Sequence, residues 1–385
     1  MSIVRFRDGL PWLVTVLLAV AVLATVTAWV RSDGIDRGEA LKTGGLAAGS
    51  VIALYALWLN DRRRRVEEQR QEIERGRQEL ETARYALEQS RQALEHQRAE
   101  HDRARVADER FARAVELLGH DTDQVRVGAL HALAGLARSR PAYTQTVLDV
   151  LCSYLRRPFD HYRFAAIRSE KTPTDESRTG KEWTDDERAE ADRWLQVRLT
   201  AQRLIYDLLS PVSEPDAPVY DLDLHGATLE YFDLRDRKVG QLRAREMNLY
   251  MSTMLRGAVV HGGAWLTGTH SWGRFFARGT VFHDLAWFSK FEAAERVEFT
   301  GSRFLGETNF ANTVFRDEVS FADVEFDRAV DFGNARFEAQ LDLRVAGGAT
   351  ANTRAMRVSL EHETNLPDGW SVDTTRGTPF GLVRA

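Results

Sequence analysis

The chain is short of several things, and each shortage excludes a class of answer. Its 385 residues contain one cysteine, Cys152. That rules out a disulfide within one chain and any multi-cysteine metal site, and it suits a reducing compartment. The thiol lies in an apolar helical run, Val147-Leu148-Asp149-Val150-Leu151-Cys152, where packing explains it better than nucleophilic chemistry. No proline occurs between residues 220 and 345, nor between 61 and 113. Lysine is scarce beside arginine, and the net charge is only −5, too mild to imply a nucleic-acid or strongly acidic ligand. The ten histidines are scattered, with no H-E-x-x-H and no Cys/His cluster. Gly262-Gly263 and Gly268 are not followed by the G-K-[ST] of a phosphate loop. No catalytic, cofactor-binding or metal-ligating residue is therefore assigned, no cofactor is expected, and the chain reads as a non-enzyme.

What is abundant is repetition. Phe299, Phe304, Phe310, Phe315, Phe321, Phe326, Phe332 and Phe337 alternate in steps of five and six, Leu343 continues the series, and Phe288 precedes Phe299 by 11 residues. Two positions before each stands a small or β-branched residue: Val297, Ser302, Thr308, Thr313, Val319, Val324, Val330, Ala335. Upstream the step is five, through Leu224, Leu229, Leu234, Val239, Ala244, Leu249, Met254 and Val259. Neither a helix nor a plain strand has this period, whereas stacked structural turns do. A β-sandwich would show Gly/Pro turn clusters that are missing here. Asp and Glu recur at outward positions, as a solvated face requires. Around Phe275–Phe282 and Ala293 the register loosens, which suggests a bulge or irregular corner. Trp265, Trp272, Trp287 and Phe288 lie in that neighbourhood, either as an exposed aromatic patch or as irregular packing.

These A-x-L and Phe units resemble the pentapeptide-repeat family, with the Phe-rich 11-residue variant in the C-terminal half. The resemblance implies a right-handed quadrilateral β-helix over residues 220–345. Two 11-residue units should make one coil, with Phe299 stacked on Phe321 and Phe310 on Phe332, at a rise of ~4.8 Å.

The N-terminus reads as a transmembrane helical hairpin, residues 1–60. Residues 10–30 and 43–60 carry no charge, and the first stretch is long enough for a bilayer core of ~30 Å. Gly44, Gly45 and Gly49 would let the two helices pack closely. Arg62-Arg63-Arg64-Arg65 follows the second stretch, and Arg5 and Arg7 precede the first, so both termini are expected in the cytoplasm. A cleaved signal peptide would have a shorter apolar core and no second apolar segment.

Residues 61–107 read as a charged helical stalk. Val66, Ile73, Leu80, Leu87 and Leu94 are seven apart, as are Arg63, Arg70, Arg77, Arg84, Arg91, Arg98 and Arg105. A strict heptad favours a left-handed coiled coil. The seam has one large apolar residue per heptad, so a lone solvated spacer helix is the alternative.

Residues 108–167 read as a small all-α unit. Phe111, Val115 and Leu118 share a face, Gly119 ends that helix, and Asp121 or Asp123 caps the next, which buries Val125, Ala129, Leu133 and Leu136. A third helix opens at Pro141 and carries Val147, Leu148, Leu151 and Leu155. Val125–Leu133 resembles one HEAT-type helix. Residues 168–182 read as a flexible linker, and 183–210 as a capping helix opened by the Thr184–Glu187 capping box. Residues 346–385 form the C-terminal cap. The order of segments, with the Leu366-Pro367-Asp368-Gly369-Trp370 tail, resembles bacterial membrane-anchored pentapeptide-repeat proteins.

Three functions remain. The first is a scaffold tethered to the bacterial inner membrane, contacting lipid there and presenting the β-helix to an unknown protein partner, with self-association through the stalk. The second, implied by the family resemblance, is a DNA-mimic inhibitor of a topoisomerase or other nucleic-acid-binding protein. Residues 280–345 are acidic, with 13 Asp/Glu against 7 Lys/Arg, but residues 220–279 carry 6 against 8. The third is an oligomeric membrane effector. Direct nucleic-acid binding is not expected.

Overall fold

The computed structural model describes residues 37–171, 181–346, 350–375 and 379–384, together with Val20, Ala21, Ala24, Thr25 and Ala28. The chain divides into two units, Met1–His101 and Asp102–Ala385.

The first unit is dominated by helix α1, Arg37–Leu118, 82 residues long. Glu, Arg, Gln and Ala sustain most of it, and it contains no proline. The heptad column is open to solvent, with Val66, Ile73, Leu80, Leu87 and Leu94 between 45% and 70% exposed. The sequence placed helix boundaries near 43, 61 and 107, and none of them exists. The expected span 10–30 lies outside the described residues apart from the five named above. The expected span 43–60 is an inner stretch of α1, and among the described residues no helix is long and apolar enough to cross a membrane. The two-span hairpin therefore finds no support in the structure.

In the second unit, Gly119 ends α1 as expected, donating its N–H to Glu116 O. Leu118 is buried, but Val115 faces solvent. Helix α2 (Asp123–Ser139) is preceded by Thr122, which makes no side-chain cap; neither Asp121 nor Asp123 takes that role. Its buried face includes Ala129, Leu133 and Leu136, while Val125 is only half-buried. Pro141–Tyr143 is a 3-10 turn leading into α3 (Thr144–Leu155), which buries Val147, Leu148, Leu151 and Leu155. Cys152 lies among them, and burial pushes its thiol up to about 12. A helix the sequence reading missed, α4 (Tyr162–Lys171), occupies part of the expected linker; residues 172–180 lie outside the described residues. Helix α5 (Asp185–Leu208) opens with the expected capping box. Its N3 carboxylate on Glu187 accepts from Thr184 N at 2.9 Å.

Residues 222–365 wind into a β-helix of four parallel sheets. Sheet A runs from Leu222–Asp223 to Ala351–Asn352 and sheet B from Thr228–Glu230 to Arg357–Ser359. Sheet C runs from Ser252–Met254 to Thr364–Asn365 and sheet D from Lys238–Val239 to Glu325–Phe326. One coil advances 22 residues over most of its length, pairing Val281 with Arg303 and Val297 with Val319.

The Phe ladder fills the axis. Phe299 stacks on Phe321 with centroids 5.1 Å apart, and Phe310 on Phe332 at 5.4 Å, both with nearly parallel planes. Rings from adjacent sheets meet edge-on, as Phe315 of sheet B does with Phe321 of sheet C at 89°. Small residues two positions earlier leave room for these rings. The hydroxyls among them are not free: Thr269 and Thr280 donate to Ala244 O and Leu255 O in the preceding coil, at 2.6 and 2.8 Å. Ser302 donates likewise to Ala277 O.

Two expectations about register fail. Phe275, Phe282 and Ala293 sit in regular strands, with Phe275 paired to Val297, Phe282 to Phe304 and Ala293 to Phe315. The loosened pattern is a volume swap: alanine takes the rung at Ala277 and Ala293, and phenylalanine takes the earlier inward position at Phe275 and Phe291, all four fully buried. The strict step of five also stops before Met254 and Val259, which are half-exposed, while Leu255 and Val260 are buried. The first coil pairs Leu229 with Leu249, 20 residues on, but Val239 pairs with Val260 and Leu242 with Ala264. One added residue falls near Met251, whose φ is 63°, and a second at Gly262-Gly263.

Every second corner is a tight turn with a left-handed residue, as at Leu224–Ala227 and Phe299–Ser302. Gly301 takes it with φ 66°, but Glu246, Lys290 and Asn312 hold the same conformation. Many corner carboxylates and amides are turn caps. Asn309 Oδ1 accepts from Ala311 N at 2.8 Å and Asp331 Oδ1 from Gly333 N at 2.7 Å.

The N-terminal end of the β-helix is covered by helix and loop, and at the C-terminal end sheet B is covered. The Gln145 amide meets the Asp221 backbone like a neighbouring peptide, at 2.9 and 3.0 Å. Arg198, buried in α5, donates to Leu155 O and Thr228 O at 2.6 and 2.8 Å, and burial pulls its pKa down to about 10. Lys238 N donates to Ser210 O at 2.8 Å. At the far end Phe380–Arg384 pairs antiparallel with both Arg357–Ser359 and Ser371–Asp373, closing sheet B. These are the covers an open strand edge needs.

Phe310→Ala should cost about 3–5 kcal/mol, the usual loss for a buried aromatic. Asp317→Ala, at an exposed corner, should cost little. Denaturant unfolding of the two variants distinguishes them, and equal losses would contradict the inside–outside assignment.

Candidate interaction surface

The outward side chains of a β-helix line up in columns one coil apart, so each face can be read as a ladder. Sheets B, C and D each carry an ion pair between outward residues of adjacent coils. Glu292 on sheet B takes Arg316 at 3.3 Å, Arg296 meets Glu318 at 3.5 Å on sheet C, and Arg303 meets Glu325 at 2.7 Å on sheet D. Such faces satisfy themselves in water, each exposed pair adding little stability.

Sheet B carries a further cover in its first coils. Glu230 and Tyr250 point outward yet are buried. Helix α4 lies over them, with Phe164 stacked on Tyr250 at 4.0 Å and Arg168 Nη1 donating to its hydroxyl at 2.6 Å. Lys171 reaches Glu295 at 3.1 Å. Desolvation raises the Glu230 carboxyl, against the nearby Arg163. The helix is anchored at its start by His161, fully buried, with Nε2 3.0 Å from Asp192 Oδ1. Burial holds this imidazole below its usual value of 6.5, outweighing the hydrogen bond to Asp192, which raises it. The sequence did carry a trace of α4: Phe164 and Ile167, three apart, make an apolar stripe.

Sheet A differs. Its outward column reads Asp223, Arg243, Trp265, Trp287, Asn309, Asp331, Asn352. Asp223 is held by Arg156 at 2.7 Å. Between Trp265 and Asp331 there is no ion pair across coils among the described residues. Trp265 and Trp287 occupy paired positions in adjacent coils. The Trp265 ring lies across Gly263, where an added Cβ would come within 2.6 Å of it. Arg245 stands over the same ring at 5.8 Å. Trp287 is among the few large apolar side chains exposed in the β-helix. Shallow depressions flank the pair, one lined by Asp223, His225, Arg243 and Arg245, the other by Glu307, Asn309 and Asp331. Arg243 and Arg245 thus stand on one side of the tryptophans and Glu307 and Asp331 on the other.

The four aromatics singled out in the sequence are not one patch. Trp265 and Trp287 share sheet A. Trp272 lies on sheet B, stacked on Tyr250 at 6.4 Å and bonded through Nε1 to Asn248 at 3.1 Å. Phe288 is in the core. Strand alternation and the corners separate them, and their packing is regular. Among the described residues no group of three or more His, Cys, Asp or Glu is placed to hold a metal ion.

Residues 297–346 match the family model described as pentapeptide repeats (9 copies). No curated protein and no solved structure matches the chain. Over its C-terminal coils the β-helix is thus similar to pentapeptide-repeat proteins.

Because burial lowers the His161 pKa in the fold, the unfolded chain binds more protons below about pH 6.5, and this group's contribution to stability falls as pH drops through that window. The attachment of α4 should loosen on acidification from neutrality. Hydrogen exchange of residues 162–171 should show it, and His161→Gln should flatten the dependence.

Proposed function

We propose that the protein is a non-enzymatic interaction module that binds a protein partner along sheet A of its solenoid. The observation that carries this reading is on sheet A: sheets B, C and D each carry an ion pair between coils, while among the described residues the central coils of sheet A carry none and place two tryptophans side by side. A suitable partner meets Trp265 and Trp287 with an apolar centre and places acidic groups toward Arg243 and Arg245. Aromatic and arginine side chains of this kind are the usual anchors of protein interfaces.

The tether is read from the sequence. Two uncharged stretches, 10–30 and 43–60, followed by Arg62–Arg65, support attachment to a bacterial inner membrane with residues 61 onward in the cytoplasm. Helix α1, with its open heptad column, supports self-association. Together they describe a scaffold held at a surface in more than one copy. Mimicry of nucleic acid is the weaker reading, because the acidic residues of the C-terminal coils are largely turn caps or ion-paired with arginine.

Affinity capture with crosslinking from native cells tests the binding claim. One stoichiometric protein should be recovered with the wild-type chain and lost with Trp265→Ala/Trp287→Ala, whose circular dichroism should be unchanged. Capture that survives this double variant moves the interface off sheet A, and recovery of a topoisomerase favours mimicry. For the tether, Gly34→Cys should react with a membrane-impermeant thiol reagent from outside the cell and Ser177→Cys should not. The reverse labelling, or a soluble protein, rejects the topology.

A further inference from the structure

The charges beside the exposed seam of α1 are ordered, and the order specifies how two copies would meet. With Val66, Ile73, Leu80, Leu87 and Leu94 as the main core positions, the second core positions are Gln69, Gly76, Ala83, Ser90 and Gln97. The column flanking the second set is arginine at every heptad: Arg70, Arg77, Arg84, Arg91 and Arg98. The column flanking the first set on the other side reads Glu72, Glu79, Ala86 and Ala93. All of these flanking residues are exposed.

Two helices can pair along this seam in two orientations. In a parallel, in-register pair each flanking column faces the opposite one of its partner, five residues further on. Glu72 then meets Arg77 of the second copy, and Glu79 meets Arg84, with both contacts doubled by symmetry. Ala86 and Ala93 leave Arg91 and Arg98 unopposed, and Arg91 is already paired with Glu95 of its own helix at 3.2 Å. The one unfavourable approach, Arg65 to Arg70, is softened because Arg65 is held by Asp61 at 2.6 Å. In an antiparallel pair each column faces its own kind. The arginines would oppose arginines along the whole seam, and Glu72 and Glu79 would find no arginine.

We infer that α1 is a parallel, in-register homodimerisation helix, with register and orientation set by Glu72–Arg77 and Glu79–Arg84 pairs between copies. This rests on the self-association proposed above and adds its geometry. Large residues at one core position and small ones at the next give alternating wide and narrow layers. Gly76, Ala83 and Ser90 let the backbones approach there, while matched Ile73, Leu80 and Leu87 layers hold the register. A parallel pair carries two solenoids on the same end of the coiled coil. A partner with two sites would then be bound bivalently, the second contact being intramolecular.

The test uses the full-length chain in its own cells. Ile73→Cys and Leu87→Cys, made separately, should each give a disulfide-linked homodimer under mild oxidation; the native Cys152 is buried and does not compete. Arg77→Glu/Arg84→Glu should abolish the Ile73→Cys crosslink, and adding Glu72→Arg/Glu79→Arg to the same chain should restore it. These side chains are solvated, so helicity should be unchanged. In an antiparallel pair each main core position faces the second core position of the partner, so with the seam 66–97 overlapped Ile73→Cys would crosslink only to a chain carrying Ser90→Cys. That outcome would overturn the orientation and leave self-association standing. A chain that yields no crosslink in any combination and stays monomeric would overturn both.

Discussion

The inside of the solenoid admits one large ring for each small neighbour, and the rest of the repeat domain depends on that constraint. Parallel strands fix the spacing of coils, and the spacing is close to what stacked phenyl rings tolerate. Each sheet offers two inward positions per coil, and their combined volume must stay nearly constant. Mostly the ring takes the second position and a small residue the first. At Phe275/Ala277 and Phe291/Ala293 the order is reversed, yet strand register continues through both. Volume is conserved although sequence order is not, as close packing requires.

The same geometry decides what must happen at the ends. A coil in mid-stack has neighbours above and below for its peptide groups; the first and last do not. The N-terminal end is satisfied by pieces of helix and loop, namely the Gln145 amide, the Arg198 guanidinium and Ser210 O. Arg198 is the costly member. It is a buried cation held by carbonyl oxygens, and its lowered pKa measures the desolvation it bears. The helical segment from Asp102 is therefore part of the solenoid's construction, and its buried side chains run into the first coil without a break. At the C-terminus an antiparallel hairpin ends the parallel stacking.

What could be read in the sequence follows from the length scale of each signal. The Phe ladder, the pairing of Phe299 with Phe321, the capping box at Thr184 and the core of α3 are periodic or local, and single positions reveal them. The volume swap was misread because a pattern search looks for rings at fixed rungs. The growth of the coil from 20 to 22 residues was missed because two one-residue additions, near Met251 and Gly262, each look like noise. Helix α4 was missed because its evidence is tertiary. Glu230 and Tyr250 lie at outward positions, and only a covering element explains their burial. The continuity of α1 through residue 61 was hidden by reading a composition change as an element boundary. The tryptophans of sheet A were noticed, but only the coil register shows that two of them are neighbours and a third is not.

A rigid ladder is well suited to recognition for an energetic reason. Outward side chains contribute little to folding, so they are free to differ from face to face. Their backbones are held by hydrogen bonds to the coils on both sides, so little conformational entropy remains to be lost on binding. Where a face spends its charges on its own neighbours, as Arg303 does with Glu325, a partner must break those pairs to gain new ones. Where it does not, as at Trp265 and Trp287, burial of aromatic surface is a net gain. The helical cap reaches only the first strand of sheet A, through Gln145 and Arg156, and α4 turns instead onto sheet B. The intramolecular covers thus leave in the open a face whose central coils, among the described residues, carry no ion pair of their own.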